Sequence, residues 1–388
     1  MGSYVVVFLA TAAAVFLTTP LVRHFAIRTG AIDRPSDRKV HPKPTATLGG
    51  IAIFLGVVVG MGVSRVMPFF HDLHRLSSEP VAALLAGFVI LVIGVYDDIR
   101  GTSAAAKMSG QVLTAGLLVL LGVQLLYFWF PGQGILSLGS DIAVPLTVLW
   151  VVAMVNAVNL IDGLDGLAAG SVAIAAVAFF AYVYQSPGQT VYGQASTAAL
   201  LSAIVAGAAV GFLPWNFNPA RIFMGDSGSM LLGVLLAVAT ISGVGRTATK
   251  PSGGDLAAFA MPVIIPLIVL ALPFVDVMFA IVRRMRRGRP VTAPDKEHIH
   301  HRLMDIGHSH RQAVLLMYLW SALISAAALA VAMINGRLVV GIILGATTLV
   351  LAGTSLPRLR RTNGRASAPV PAPEPPPSHL EPAKPKLP

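Results

Sequence analysis

The sequence predicts an all-α integral membrane protein with about eleven transmembrane helices, the N-terminus outside and the C-terminus cytoplasmic. Hydrophobic residues make up 55% of the chain and charged residues only 12%, with a mean hydropathy of +0.76. This composition excludes an ordinary soluble globular domain. Apolar segments long enough to cross or nearly cross a bilayer occur at 4–22, 47–66, 81–96, 109–128, 142–160, 167–184, 195–213, 229–245, 258–282, 313–334 and 337–353.

The orientation follows from the basic residues. With the N-terminus outside, 23 of the 28 Lys and Arg residues lie in the odd-numbered loops and the tail, which the positive-inside rule assigns to the cytoplasm. Twelve of the 17 acidic residues lie on the same side. We therefore expect the chemistry on the cytoplasmic face. The net charge of +11 reflects this topology, and we predict no nucleic-acid partner.

The chain divides into a transmembrane domain, residues 1–357, and a tail, residues 358–388. The tail is basic and then rich in proline, without an apolar period, so we expect it to be disordered. Cysteine is absent, which excludes disulfides and thiolate metal sites.

Two amides and two carboxylates lie where the fifth segment leaves the bilayer. They are Asn156, Asn159, Asp162 and Asp165. Such groups are costly in hydrocarbon and often mark a functional site. Gly163 and Gly166 weaken the helix and allow backbone to approach a ligand, and hard oxygen donors suit Mg²⁺ with its phosphates. The alternative is that the asparagines join helices and Asp165 caps the next one.

Two further acidic motifs flank membrane segments on the same face. The third segment ends with Asp97 and Asp98, whose mutual repulsion raises one pKa unless a cation or metal holds them; a charge cluster at the helix end is the alternative. Lys107 follows at the start of the fourth segment. Lys107 either binds phosphate or reaches for the interface. The loop after the seventh segment contains Asn216 and then Asp226 between glycines. Asp226 either reaches a metal or caps the eighth helix.

The first and last large cytoplasmic loops contain candidate phosphate contacts. Lys43 and the hydroxyls of Thr45 and Thr47, before a helix that starts at Gly49 and Gly50, would receive an anion at the helix N-terminus. A basic anchor followed by turn residues is the alternative. The later loop contains a histidine cluster, which is weak as a zinc motif because no further His or Cys set accompanies it. The cluster comprises His298, His300, His301 and Arg302.

Taken together, these motifs resemble the polyprenyl-phosphate N-acetylhexosamine-1-phosphate transferases. The resemblance spans all eleven segments and excludes the tail. Its most specific parts are Asn156 to Leu167, the Asp97-Asp98 pair and the stretch Phe223 to Ser229. The histidine cluster resembles the GlcNAc-1-phosphate (WecA-type) branch rather than the branch that transfers phospho-MurNAc-pentapeptide, which typically has a His-His-His-Phe-Glu stretch there.

The resemblance implies a Mg²⁺-dependent enzyme of the bacterial cytoplasmic membrane, with Mn²⁺ as a substitute metal. Its substrates would be UDP-GlcNAc and undecaprenyl or decaprenyl phosphate, its products UMP and polyprenyl-diphospho-GlcNAc, and it could form a homodimer among the membrane lipids. By carry-over, Asp226 and Asn159 would bind metal, and Asp97, Asp98, Asp162 and Asp165 would be catalytic. Substrate contacts would come from Lys43, Lys107, Asn156, Asn159, Asn216, His298, His300, His301 and Arg302.

Two alternatives remain at this stage. The first is the phospho-MurNAc-pentapeptide transferase reaction of peptidoglycan synthesis. The second is an ion-coupled transporter, which would be expected to place its polar residues near the membrane midplane rather than on one side.

Overall fold

The structure of the chain is a computed structural model that describes residues 1–33, 44–130, 134–185, 195–244, 285, 309–333 and 337–355. The predicted tail and the apolar segment 258–282 lie outside these ranges. The other ten predicted segments each coincide with a helix. Eight helices in the described ranges are long and apolar enough to cross a membrane, so the chain is a multi-pass membrane protein.

The helices are α1 (Gly2–Thr29), α2 (Gly49–Val66), α3 (His71–Leu76), α4 (Glu79–Arg100), α5 (Ala104–Leu120), α6 (Ser140–Ile161), α7 (Leu167–Gln185), α8 (Thr197–Asn216), α9 (Gly225–Val244), α10 (His310–Met333) and α11 (Arg337–Ser355). A short 3₁₀ helix, Pro68–Phe70, precedes α3. Two antiparallel strand pairs complete the described structure: β1 (Ile32–Asp33) with β2 (Thr45–Ala46), and β3 (Tyr127–Phe130) with β4 (Gly134–Ser137).

The fourth segment differs from its predicted extent. An apolar helix was expected over 109–128, but α5 ends at Leu120 and the chain continues into the β3–β4 hairpin. Gly122 has a φ of +83° and donates its N–H to the carbonyl of Val119 at 3.0 Å. A glycine in this conformation ends a helix at little cost. Hydropathy alone could not locate this stop, because the residues beyond it remain apolar.

Helix α9 lies at the centre of the bundle and packs against α2, α4, α6 and α8. Its described side chains from Met230 to Ile241 are buried almost throughout. Helix α1 packs on α8 through small residues: a Cβ added to Gly211 would lie 2.3 Å from the carbonyl oxygen of Ala12. Close backbone contact of this kind is a usual way of joining helices in a membrane. The N-terminus of α9 is therefore surrounded by the ends of its neighbours.

The segment before α2 is joined to the segment before α9 by backbone hydrogen bonds. Ala46 accepts the N–H of Phe223 at 2.8 Å, and the N–H groups of Gly49 and Gly50 donate to the carbonyls of Phe223 and Met224, each at 3.1 Å. The N–H groups of Gly49 and Gly50 are therefore not available to bind an anion, while Lys43 of the predicted anion site lies outside the described residues. Their N–H groups are already satisfied, and a Cβ on Gly50 would lie 2.4 Å from the backbone nitrogen of Gly228.

Candidate active site

Acidic side chains meet where α4 ends and α9 begins. One oxygen of the Asp98 carboxylate accepts the backbone N–H of Asp226 at 2.8 Å. The other accepts the N–H and the hydroxyl of Ser227 at 3.2 and 2.7 Å. The first N–H groups of a helix have no acceptor within it. Asp98 therefore caps α9 from a neighbouring helix, whereas the sequence alone indicated Asp226 as the possible cap of this helix.

Two glycines allow this close approach. A Cβ on Gly94 would lie 2.4 Å from the Cα of Ser227, and a Cβ on Gly225 would lie 2.4 Å from Oδ2 of Asp98. Gly225 also has a φ of +72°, which L side chains rarely adopt. The glycine before Asp226 thus permits the turn that brings this carboxylate next to α4.

Lys107, in the first turns of α5, joins two carboxylates from different helices. Its ammonium lies 2.7 Å from Oδ2 of Asp97 and also contacts Oδ2 of Asp226. The other oxygen of Asp97 accepts the N–H of Thr102 at 2.8 Å and the hydroxyl of the same residue. The shared cation reduces the repulsion expected between neighbouring carboxylates.

Asn159 completes the surroundings of Asp226. Its side-chain amide donates to Oδ1 of Asp226 and to the hydroxyl of Ser229, each at 2.9 Å. Asn156, one turn earlier on α6, points elsewhere: its amide donates to Oε1 of Gln111 at 2.6 Å. Gln111 is buried, so this bond joins α5 to α6 inside the bundle. The two asparagines therefore occupy different environments.

Asp162 follows the last residue of α6 and lies close to the other acidic groups. Burial, together with the nearby carboxylates of Asp226, Asp98 and Asp165, raises the pKa of Asp162 to about 8. A carboxyl in this setting either keeps its proton or needs a cation. The region around Asp162 and Asp226 thus favours the binding of positive charge.

Asp165 and Asn216 fasten together the loop after α6 and the loop after α8. We call this arrangement the Asp165–Asn216 clasp. Asn216 is buried, and its amide is engaged by backbone groups on both sides. Oδ2 of Asp165 accepts from the side-chain amide of Asn218 at 2.9 Å and from the N–H of Ala220 at 3.0 Å. Oδ1 of Asn216 accepts the N–H of Gly166 at 3.1 Å. Nδ2 of Asn216 donates to the carbonyl of Ile222, also at 3.1 Å.

The donor set fits a hard cation. Within the described ranges, no three His, Cys, Asp or Glu side chains form a ready-made metal centre. Mg²⁺, however, is usually held by one or two carboxylates together with substrate phosphates and water. Asp226, Asp162 and the amide oxygen of Asn159 are donors of this class. The site therefore suits a cation that arrives with a phosphate ligand.

Comparison with known proteins decides the family. The model of glycosyl transferase family 4 matches residues 80–244. The chain is 39% identical over 360 residues, 91% of its length and 88% of the relative, to the decaprenyl-phosphate N-acetylglucosaminephosphotransferase of Mycobacterium tuberculosis (strain ATCC 25618 / H37Rv). The chain belongs to glycosyl transferase family 4. It is also 38% identical, over 84% of each chain, to the "probable undecaprenyl-phosphate N-acetylglucosaminyl 1-phosphate transferase" of Bacillus subtilis (strain 168).

A more distant member of glycosyl transferase family 4 covers a similar share of the chain. The undecaprenyl-phosphate alpha-N-acetylglucosaminyl 1-phosphate transferase of Salmonella typhi is 27% identical over 84% of this chain and 82% of its own length. The family match at 80–244 includes all the acidic residues of the site, both asparagines of α6 and Lys107.

Helix α10 lies beyond the residues that the family model matches, yet two of its side chains contact the turns near the site. The hydroxyl of Tyr318 donates to the carbonyl of Gly166, and its ring fills the space beside Gly170. Arg311 donates from Nε to the carbonyl of Asn218 at 2.8 Å. Neither residue was predicted from the sequence to lie near the site, because a lone Tyr in an apolar segment is most often part of the core. Both contact the segments joined by the clasp.

Some predicted site residues lie outside the described ranges. They are Lys43, His298, His300, His301 and Arg302. The structure brings Asp97, Asp98, Lys107 and Asn159 together around Asp226: Lys107 contacts Asp97 and Asp226, Asn159 bonds to the Asp226 side chain, and Asp98 bonds to its backbone N–H. Asn156, Asp165 and Asn216 bond to other parts of the protein.

Proposed function

We propose that this chain transfers N-acetylglucosamine 1-phosphate from UDP-GlcNAc to a polyprenyl phosphate, giving polyprenyl-diphospho-GlcNAc and UMP. One observation carries the proposal: Asp97, Asp98 and Asp226 lie together at one end of a membrane bundle. Lys107 contacts both Asp97 and Asp226, and Asp98 accepts the N–H of Asp226 in the cap of α9. The names of the relatives favour this donor over UDP-MurNAc-pentapeptide, since those named above are N-acetylglucosamine phosphate transferases.

In the proposed reaction, an oxygen of the polyprenyl phosphate attacks the β-phosphorus of UDP-GlcNAc. A new P–O bond forms, the bond to the oxygen bridging the two phosphates breaks, and UMP leaves with that electron pair. Phosphoryl transfer of this kind depends mainly on positioning and charge neutralisation. The capping and ion-pair contacts from four helices hold the acidic groups of the site in position, and the ammonium of Lys107 supplies positive charge beside them.

We further propose Mg²⁺ as the cofactor, held by Asp226 with Asn159 and Asp162. When bound, the metal neutralises charge on the transferring phosphates. Lys107 provides an ammonium beside the same carboxylate, and Asp97 orients that ammonium through its contact at 2.7 Å. Asp98 acts through the α9 cap and so fixes the direction of Asp226.

General-base catalysis is the less favoured role for the Asp97-Asp98 pair. A phosphate monoester has a second pKa of about 6, so most of the acceptor is already a dianion at neutral pH. Both oxygens of Asp98 are occupied by donors from the start of α9. Asp97 and Asp98 are therefore assigned to positioning.

The test uses the purified full chain in detergent with UDP-GlcNAc labelled in the sugar, undecaprenyl phosphate and Mg²⁺. We expect a labelled lipid that releases GlcNAc on mild acid hydrolysis, and one UMP for each lipid formed. Addition of EDTA should stop the reaction, and excess Mg²⁺ should restore it. UDP-MurNAc-pentapeptide is the control donor; a comparable rate with it would contradict the proposed donor specificity.

A further inference from the structure

We propose that Lys107 is the counter-ion of Asp226 in the metal-free protein, and that a divalent cation displaces its ammonium from Asp226 toward the phosphates of the donor. This inference rests on the proposed function for the metal and the nucleotide. It adds an exchange of cations at Asp226: the carboxylate contacts the ammonium of Lys107 before the metal ion binds, and the metal ion afterwards.

Both carboxylate oxygens of Asp226 accept from protein donors. Its Oδ2 contacts the ammonium of Lys107, and its Oδ1 accepts the amide of Asn159 at 2.9 Å. Both oxygens therefore carry a protein donor in this structure. Each oxygen has a second lone pair, but a metal ion on Oδ2 would lie beside the positively charged ammonium, so direct binding of a metal favours displacement of Lys107.

Lys107 is the donor better placed to leave. The amide of Asn159 is tied to two acceptors, Asp226 and the Ser229 hydroxyl, each at 2.9 Å. Lys107 sits near the start of α5, and 29% of its side chain is exposed. Its ammonium ends a flexible four-carbon stem with rotatable donors. It can move without disturbing the cap that Asp98 places on α9.

Charge gives the direction of the exchange. A divalent ion and an ammonium on the same carboxylate oxygen would repel each other, so the two cations compete. Asp97 can keep hold of the ammonium, since its Oδ2 lies 2.7 Å from Nζ. The donor brings a diphosphate whose oxygens are good acceptors for a lysine ammonium. Lys107 then neutralises the charge of the diphosphate and no longer that of Asp226. Binding of the metal and binding of the nucleotide therefore strengthen each other.

The experiment measures Mn²⁺ binding by electron paramagnetic resonance on the detergent-solubilised full chain without nucleotide. Lys107→Met removes the competing cation and should tighten Mn²⁺ binding by about tenfold, within the usual range of coupling between sites. Lys107→Arg keeps the charge and should remain close to wild type. Lys107→Gln provides the same comparison if the Met variant does not fold.

Coupling is then measured by dialysis of labelled UDP with and without saturating Mn²⁺. In the wild type, Mn²⁺ should strengthen UDP binding, and in Lys107→Met this strengthening should fall by about tenfold, because the ammonium no longer moves to the diphosphate. Arg100→Gln is the matched control, since it removes an exposed positive charge at the end of α4. Its Mn²⁺ affinity should stay within about twofold of that of the wild type if direct contact with Asp226, and not the general electrostatic field of the surface, sets the competition.

Two results would overturn parts of the scheme separately. If Asp226→Asn binds Mn²⁺ as tightly as wild type, the metal site of the proposed function is misplaced. If Asp226→Asn loses Mn²⁺ binding but Lys107→Met binds Mn²⁺ no more tightly than wild type, the metal site stands and the exchange is wrong.

Discussion

At the residue scale, neighbouring carboxylates in this site do different work. Asp97 holds an ammonium, whereas Asp98 holds the first N–H groups of α9. The sequence presents them as an equivalent pair, and a pair of adjacent acids is all that spacing can show. Their separate roles depend on which helix each carboxylate faces, and this is set by the packing of α4 against α9.

Substitution of Asp98 should distinguish capping from base catalysis. Asp98→Ala removes every cap contact and should destabilise the protein by about 1–2 kcal/mol, the usual effect of losing a helix cap. Asp98→Asn keeps one acceptor oxygen and should retain more stability. Both variants should lower kcat at every pH, with thermal unfolding and a kcat–pH profile as the measurements. Recovery of nearly full kcat at high pH would instead identify a lost base.

Asp162 should make the stability of the metal-free protein depend on pH. Its pKa is raised from an ordinary 3.8 to about 8, so the folded state binds a proton that the unfolded state releases. The contribution of this group to stability is full below the ordinary pKa and is lost as pH rises through about 8. In EDTA, Tm should therefore fall between about pH 4 and pH 8, and Asp162→Asn should flatten that fall. An unchanged slope in the Asn variant would contradict the assignment.

At the element scale, the site depends on how closely helices approach. Hydropathy predicted most helices well, because apolar length is a direct requirement of the bilayer. It could not predict that α4 and α9 touch at Gly94, or that Tyr318 of α10 would bond to Gly166. Both contacts join residues far apart in the chain, and no local pattern encodes such pairings.

Gly94 provides the element-scale test. A Cβ there would lie 2.4 Å from the backbone of Ser227, so Gly94→Ala should push α4 away from α9, at a cost of about 1–3 kcal/mol for overpacking. Activity should fall because Asp98 loses the α9 cap. Gly62→Ala in α2 is the matched control, since a Cβ at that position meets nothing within 4 Å. Thermal unfolding and kcat should separate the two variants; equal behaviour would show that the close approach is dispensable.

At the scale of the whole molecule, the acidic groups of the candidate site lie at one end of the bundle, and aromatic packing stabilises the other end. There, Tyr4 packs edge-on against Phe70, with ring centroids 5.1 Å apart, and its hydroxyl accepts the N–H of Ser196 at 2.9 Å. We propose that the acidic end faces the cytoplasm, from the distribution of basic residues in the sequence.

The natural absence of cysteine makes this orientation easy to test. A single cysteine at exposed Asp72, in the first turn of α3, should react with a membrane-impermeant maleimide in intact cells. A single cysteine at Ala105, at the start of α5, should react only after the membrane is opened. Asp72→Cys and Ala105→Cys thus serve as controls for each other, and labelling of Ala105→Cys in intact cells would reverse the proposed topology.

The Asp165–Asn216 clasp has a consequence for engineering donor preference. Its hydrogen bonds join the turn after α6 and the turn after α8 into a single structural unit, although 50 positions separate Gly166 from Asn216. A chimera that takes one turn from a relative and leaves the other would mismatch the buried amide with its carbonyl and N–H partners. Grafts that exchange both turns together preserve this fit, so substrate range should change by paired replacement rather than by single loops.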